Sequence, residues 1–144
     1  MNRSLEKSRV LFLDTGTIVS LLQMNPDYYP VVSSVLDYAY ENNVTLLVSS
    51  VTLFEISRRA YAANEGVLAR QYREFFEHSR NVKSCEVTGE IAVKAAELAA
   101  KGLSTEESLR LATAFVCGAD CILTDCASFR DMTDIPVVLL NEVE

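Results

Sequence analysis

Several features are missing from this chain, and each absence excludes a class of protein. There is no run of about 20 apolar residues, so no membrane-spanning helix is expected. The apolar stretch Leu11–Leu22 is interrupted by Asp14 and Thr15, and no Ala-x-Ala-like cleavage site follows it, which argues against a signal peptide. The single histidine, His78, lies on a predicted exposed helix, so catalysis by histidine is not expected.

Paired cysteines and positive charge are also scarce. The four cysteines include no Cys-x-x-Cys pair, and without a sign of secretion they indicate reduced thiols in a cytoplasmic protein. The net charge of −7 disfavours simple electrostatic capture of nucleic acid. Residues 58–83 are the exception, with six basic and three acidic side chains. We therefore expect Arg58, Arg59 and Arg73 to contact RNA or a protein partner, the alternative being an ordinary solvated helix surface.

The length and composition of the chain indicate one globular domain. The chain has 144 residues, of which 49% are hydrophobic and 23% charged, as in soluble domains. Residues 1–8 are polar and are predicted to form an N-terminal tail, and residues 9–144 a single domain. Five apolar runs separated by helical patterns predict an α/β three-layer sandwich with a parallel sheet; the runs span residues 9–14, 45–49, 81–87, 121–124 and 137–140.

Acidic residues recur where a predicted strand ends or the next helix begins. Asp14, Glu55, Glu107 and Asp125, which precedes Cys126, all occupy such positions. In a parallel sheet these positions meet at one edge, where ligands bind. Converging carboxylates repel one another unless a cation joins them, and oxygen ligands suit Mg²⁺ or Mn²⁺. Such a site hydrolyses phosphodiesters by activating water and neutralising the developing charge.

Each acid also has a purely structural interpretation. Asp14 is placed to cap the helix that follows it. The spacing of Thr52 with Glu55, and of Ser104 with Glu107, fits the capping box in which a hydroxyl and a carboxylate satisfy the first amides of a helix. Both interpretations are open for all three acids at this point.

The order of the short motifs resembles the PIN domain, whose largest prokaryotic group is the toxin ribonucleases of VapBC-type toxin–antitoxin pairs. The resemblance runs from Val10 to Leu140 through Leu-Asp-Thr, Ser-x-x-Thr-x-x-Glu-Ile, x-Ser-Leu-Arg-Leu-Ala-Thr-Ala and Ile-Leu-Thr-x-x-x-x-Phe. It implies a five-stranded parallel sheet in the order 3-2-1-4-5 and an acidic quartet binding Mg²⁺ or Mn²⁺. It further implies cleavage of single-stranded RNA by a toxin that an antitoxin protein silences.

By position, the resemblance makes Asp14, Glu55 and Glu107 the metal ligands, although the third is usually Asp in the family. The fourth acid is replaced by Cys126, a thiol poorly matched to Mg²⁺. Its neighbour Asp125 completes the predicted catalytic set if the turn after the strand swings it inward.

Thr15, Thr124 and Cys126 are predicted to lie beside the metal ligands. Because of Cys126, a second hypothesis is a catalytically degenerate PIN module that binds RNA or protein without cutting.

Four tyrosines, Tyr28, Tyr29, Tyr38 and Tyr40, lie near one another in the sequence. They are candidates for stacking on RNA bases, but helix packing or a homodimer face is the favoured interpretation. A homodimer is accordingly expected.

Overall fold

The computed structural model describes residues 1–143, which form seven α-helices and five β-strands. In chain order these are α1 (Arg3–Lys7), β1 (Val10–Leu13), α2 (Thr15–Leu22), α3 (Tyr29–Glu41), β2 (Thr45–Ser49), α4 (Ser50–Ala62), α5 (Gly66–His78), β3 (Val82–Cys85), α6 (Gly89–Ala100), α7 (Thr105–Val116), β4 (Cys121–Thr124) and β5 (Val137–Leu139). Short 3-10 turns cover Ala127–Asp131 and Leu140–Glu142.

The five strands form one parallel sheet in the order β3-β2-β1-β4-β5, which confirms the predicted topology. The central strands are continuous apolar runs because both of their faces are covered by helices. Strand β3 lies at an edge and exposes Lys83 and Ser84, and such polar side chains discourage pairing with another chain.

Alternate side chains of each central strand enter two separate cores. Leu11 and Leu13 of β1 pack with residues of α1 to α5, while Phe12 packs on the other face with residues of α6 and α7. The same alternation places Leu46 and Leu47 of β2 in opposite cores. The sheet is thus the middle layer of the predicted three-layer sandwich.

The chain order of the strands reverses between β1 and β4. From β1 the chain builds outward through β2 and β3, and then returns to place β4 on the free side of β1. The amide of Asp14 donates to the Leu123 carbonyl (3.0 Å), which holds the ends of these two strands together. Crevices at such reversals are where open α/β sheets bind ligands.

The amino-terminal segment differs from the prediction. Residues 3–7 form α1, with Leu5 buried in the core, rather than a loose tail. Asn2 caps this helix, and the Ser8 hydroxyl donates to Asp120 (2.5 Å). The segment is held by one buried apolar side chain and these polar contacts. So few contacts leave no periodic pattern in a stretch this short. None of the helices in residues 1–143 has the length and hydropathy needed to cross a membrane.

Candidate active site

Asp14 is fully buried (0% exposed) at the point where β1 ends and α2 begins. It occupies the N-cap position, but its side chain makes no capping hydrogen bond. Instead, its Oδ1 accepts from Nε of Arg110 (2.7 Å) and its Oδ2 accepts from the Thr124 hydroxyl (2.6 Å). The capping interpretation of Asp14 is therefore wrong, because its carboxylate binds side chains of α7 and β4 instead.

Glu55 is also buried (5% exposed), on the first turns of α4. The predicted capping box with Thr52 is wrong, because α4 begins earlier and is capped by Ser49, whose hydroxyl accepts from the Val51 amide (3.1 Å). Thr52 thus lies inside the helix and shares a hydrogen bond with the hydroxyl of Thr15 (2.9 Å). The Glu55 carboxylate is left free for other partners in the crevice.

Arg110 of α7 joins the two buried carboxylates and was not singled out from the sequence. Its Nη1 donates to Oε1 of Glu55 (2.9 Å), while its Nε donates to Asp14, and the residue is only 8% exposed. Burial works to lower the pKa of Arg110, but the charges of Asp14 and Glu55 outweigh it and raise that pKa. A signal was available: Arg110 follows Glu107 by three residues, so both lie on one face of the helix.

Glu107 forms the capping box predicted at the start of α7. The Ser104 hydroxyl accepts from the Glu107 amide (3.2 Å), and Oε1 of Glu107 accepts from the Ser104 amide (3.0 Å). The hydrogen bond from the Ser104 backbone lowers the pKa of Glu107. Its second oxygen, Oε2, faces the crevice and lies 3.5 Å from Sγ of Cys126.

Cys126 acts here as a hydrogen-bond donor. Its thiol donates to Glu107, and its amide donates to the Thr124 hydroxyl (2.9 Å). Burial, together with the negative charge of Glu107, raises the pKa of the Cys126 thiol to about 11. The thiol therefore keeps its proton at neutral pH in this hydrogen-bonded arrangement. Thr124 holds both Asp14 and the Cys126 backbone in place.

Asp125 lies against α2 at Gly16. A Cβ atom built on Gly16 would lie 2.3 Å from Cγ of Asp125, so only glycine leaves room for this carboxylate. Asp125 lines the same cleft as Glu55 and Glu107. Asp125 is an exposed residue, and the turn after β4 places its carboxylate at the wall of the cleft.

These groups surround an open cleft of about 450 Å³. It is lined by polar side chains of several elements, among them Thr15, Asn25, Tyr28, Glu106, Ser104 and Arg59. Of the three predicted contact arginines, only Arg59 reaches the cleft, with Nη2 3.9 Å from Oε2 of Glu55. Arg58 lies over the Phe54 ring (5.5 Å), and Arg73 pairs with Glu77 (2.7 Å) on α5, so both face other surfaces.

The cleft has the donor chemistry of a site for a hard divalent cation. Asp14 and Glu55 already bind one cation jointly, the guanidinium of Arg110, so their oxygens lie close enough to share a charge. Carboxylate oxygens are the ligands that Mg²⁺ and Mn²⁺ prefer. Glu107 is turned away toward Ser104 and Cys126, and within residues 1–143 no three His, Cys, Asp or Glu side chains are grouped as metal ligands. Within these residues, the positive charge between Asp14 and Glu55 is supplied by Arg110.

Several solved structures share this architecture. The chain is similar to VapBC2 from Rickettsia felis bound to a DNA fragment from its promoter, with a TM-score of 0.70 and 18% identity over 90% of this chain and 98% of that chain. It is similar to FitAcB from Neisseria gonorrhoeae, with a TM-score of 0.67 and 17% identity over 88% and 95%. The chain has the PIN-domain fold.

A third structure with this PIN fold is VapC20 from Mycobacterium tuberculosis, described as a toxin that cleaves the sarcin–ricin loop. Its TM-score is 0.62 at 14% identity, over 78% of this chain and 86% of that chain. No protein-family model matches the chain, and no curated protein matches it in sequence. The likeness therefore consists of the fold, and the chemistry has to be argued from the cleft.

Proposed function

We propose that this chain is the toxin of a toxin–antitoxin pair, an endoribonuclease that cleaves single-stranded RNA with Mg²⁺ or Mn²⁺. The observation that carries this proposal is the pair of buried carboxylates, Asp14 and Glu55. Both bind the guanidinium group of Arg110 where the strand order of the PIN fold reverses. Burying a carboxylate costs folding free energy unless the carboxylate binds a positively charged group. The open polar cleft beside the two acids has room for a phosphodiester. VapC20, which has the same fold, is a toxin that cleaves the sarcin–ricin loop.

Asp14 and Glu55 would hold the metal ion, and Glu107 would join them once its carboxylate turned from Ser104 and Cys126 into the cleft, with Asp125 at the cleft wall. When bound, the ion supplies an activated water molecule and neutralises charge on the reacting phosphate. Thr124 keeps the Asp14 carboxylate fixed through its hydroxyl group. Arg59, at the cleft wall, is placed to contact an RNA phosphate, since guanidinium groups bind phosphate oxygens in a directional manner.

The same proposal includes a protein partner. A toxin–antitoxin complex from Klebsiella pneumoniae has a similar fold, with a TM-score of 0.61 at 16% identity. An acidic cleft is readily blocked by an arginine from another chain. Helix α4 also exposes Phe54 and Tyr61, seven residues apart on one face, which is the type of surface that pairs with another protein. A homodimer or an antitoxin contact on α4 would cover these side chains.

A second candidate function has specific support. The protonated Cys126 thiol replaces a ligand, and Arg110 supplies a cation from the chain itself. Both features suit a degenerate PIN module that binds RNA or a protein without cutting it. The nuclease is the first choice because the cleft is open and four acids line it, which are Glu55, Glu106, Glu107 and Asp125.

The test is cleavage of a labelled single-stranded RNA by the wild type with Mg²⁺, Mn²⁺ or EDTA. We expect metal-dependent cleavage that Glu55→Gln abolishes and that the control Asp27→Asn, an exposed acid, leaves unchanged. RNA binding is measured in parallel by fluorescence anisotropy in EDTA. If the wild type binds RNA but cuts it with neither metal, the degenerate module replaces the nuclease.

A further inference from the structure

We propose that Arg110 is an internal competitor of the divalent cation, so that a metal ion binds Asp14 and Glu55 only when the guanidinium group leaves them. This inference rests on the proposed metal-dependent function. It concerns a residue that supplies positive charge from within the chain, in the place where the metal would lie.

The contacts make the two cations mutually exclusive. The guanidinium group occupies Oδ1 of Asp14 (2.7 Å) and Oε1 of Glu55 (2.9 Å), and the other oxygen of Asp14 is held by Thr124 (2.6 Å). A metal ion bridging Asp14 and Glu55 would lie against a group of like charge at these distances. Two positive charges in a buried site repel strongly, because the interior screens them poorly.

The cleft offers the guanidinium group of Arg110 an alternative position. The Arg110 side chain lines the open cleft, which gives the guanidinium group a route toward solvent. Glu106 and Glu107, four and three residues earlier on α7, line the same cleft and are within reach of an arginine at this spacing. The helix itself stays anchored by buried Leu111 and Ala112.

The charge balance of the cleft favours exchange by a doubly charged ion. Its wall carries four carboxylates and two guanidinium groups, Arg59 and Arg110, and Arg110 also contacts the buried Asp14. The single charge of Arg110 does not neutralise the two carboxylates of Asp14 and Glu55, whereas a divalent ion would neutralise both. Because the arginine-bound state must first open, the apparent affinity for metal falls by the fraction of molecules that are open.

The experiment compares Mn²⁺ binding by the wild type, Arg110→Gln and Arg59→Gln, using isothermal titration calorimetry. We expect Arg110→Gln to bind Mn²⁺ at least about tenfold more tightly than the wild type. Arg59→Gln is the matched control for metal affinity, since Arg59 also faces Glu55 but from an exposed position at 3.9 Å. Its affinity for Mn²⁺ should stay within about threefold of the wild type.

A second readout covers the case in which Arg110→Gln does not fold without metal. In the wild type, the ¹⁵N resonance of Arg110 Nε should shift on titration with Mg²⁺ and saturate together with binding. If Mg²⁺ binds while this resonance stays unchanged, or if folded Arg110→Gln binds Mn²⁺ no more tightly than the wild type, the proposal is wrong.

The outcomes also separate this proposal from the proposed function. Tighter Mn²⁺ binding by Arg110→Gln without RNA cleavage by any variant would support the competition and remove the nuclease. Metal-dependent cleavage by the wild type, with equal Mn²⁺ affinity in Arg110→Gln, would keep the nuclease and overturn the competition.

Discussion

The substitution Thr124→Val tests whether the buried carboxylate of Asp14 depends on a single hydroxyl group. The Thr124 hydroxyl donates to Asp14 (2.6 Å) and accepts from the Cys126 amide (2.9 Å), and valine has nearly the same shape without either contact. A hydrogen bond to a charged group contributes about 1.5–3 kcal/mol, and an unsatisfied amide adds about 1 kcal/mol. We expect Thr124→Val to lower the free energy of unfolding by about 3 kcal/mol.

The assay is urea unfolding followed by circular dichroism, with Thr113→Val as the matched control. Thr113 is equally buried, but its hydroxyl donates to the Leu109 carbonyl (2.7 Å) within the same helix. Losing that bond should cost no more than about 1 kcal/mol, because the carbonyl belongs to the helix ladder. Equal losses in the two variants would refute the argument that Thr124 supports a buried charge.

Three further predictions concern the cleft. Gly16→Ala should push Asp125 aside, so Asp125→Ala should be coupled to it by about 1 kcal/mol or more in a double-mutant cycle of unfolding; additive effects would contradict this. Glu107→Gln should keep the capping box and most of the stability. Because the pKa of Glu107 is lowered on folding, its charge stabilises the protein at pH values above the pKa of an unfolded glutamate. The difference from Glu107→Gln in pH-dependent unfolding should fall as the pH drops through the folded pKa. Arg59→Glu should weaken RNA binding and flatten its salt dependence, whereas Arg73→Glu, on another surface, should not.

The sheet was predictable because its strands carry their own signal. Buried parallel strands are short apolar runs bounded by turns, and the runs from Val10 and from Cys121 stand out in the sequence. Their order followed from the resemblance and not from the runs themselves, since no strand encodes its neighbour. The docked helix at residues 3–7 escaped prediction because a single buried leucine is too little to form a pattern.

The site was predictable only in part. The positions of the strand ends placed Asp14, Glu55, Glu107 and Asp125 at one edge of the sheet. Glu55, Glu107 and Asp125 line one cleft, and Asp14 contacts Arg110 of that cleft. Their partners depend on contacts between residues far apart in sequence. Arg110 lies 96 residues from Asp14, and local spacing contains no information about such a pair.

The capping prediction at Thr52 failed for a local reason. Ser49 and Ser50 precede it, and each of the three has a hydroxyl able to cap a helix. The strand ends directly at Ser49, so the helix begins there and Thr52 moves into the interior. Which hydroxyl caps the helix is decided by where β2 ends, and that is set by pairing with its neighbours.

The central claim, that Asp14 and Glu55 form a cation site, is tested most directly by anomalous diffraction from crystals grown with Mn²⁺. The account predicts a Mn²⁺ peak about 2.1 Å from carboxylate oxygens of both residues, with the Arg110 guanidinium group turned away from them. A map at saturating Mn²⁺ with no peak there, and with Arg110 still bound to Asp14 and Glu55, would contradict it.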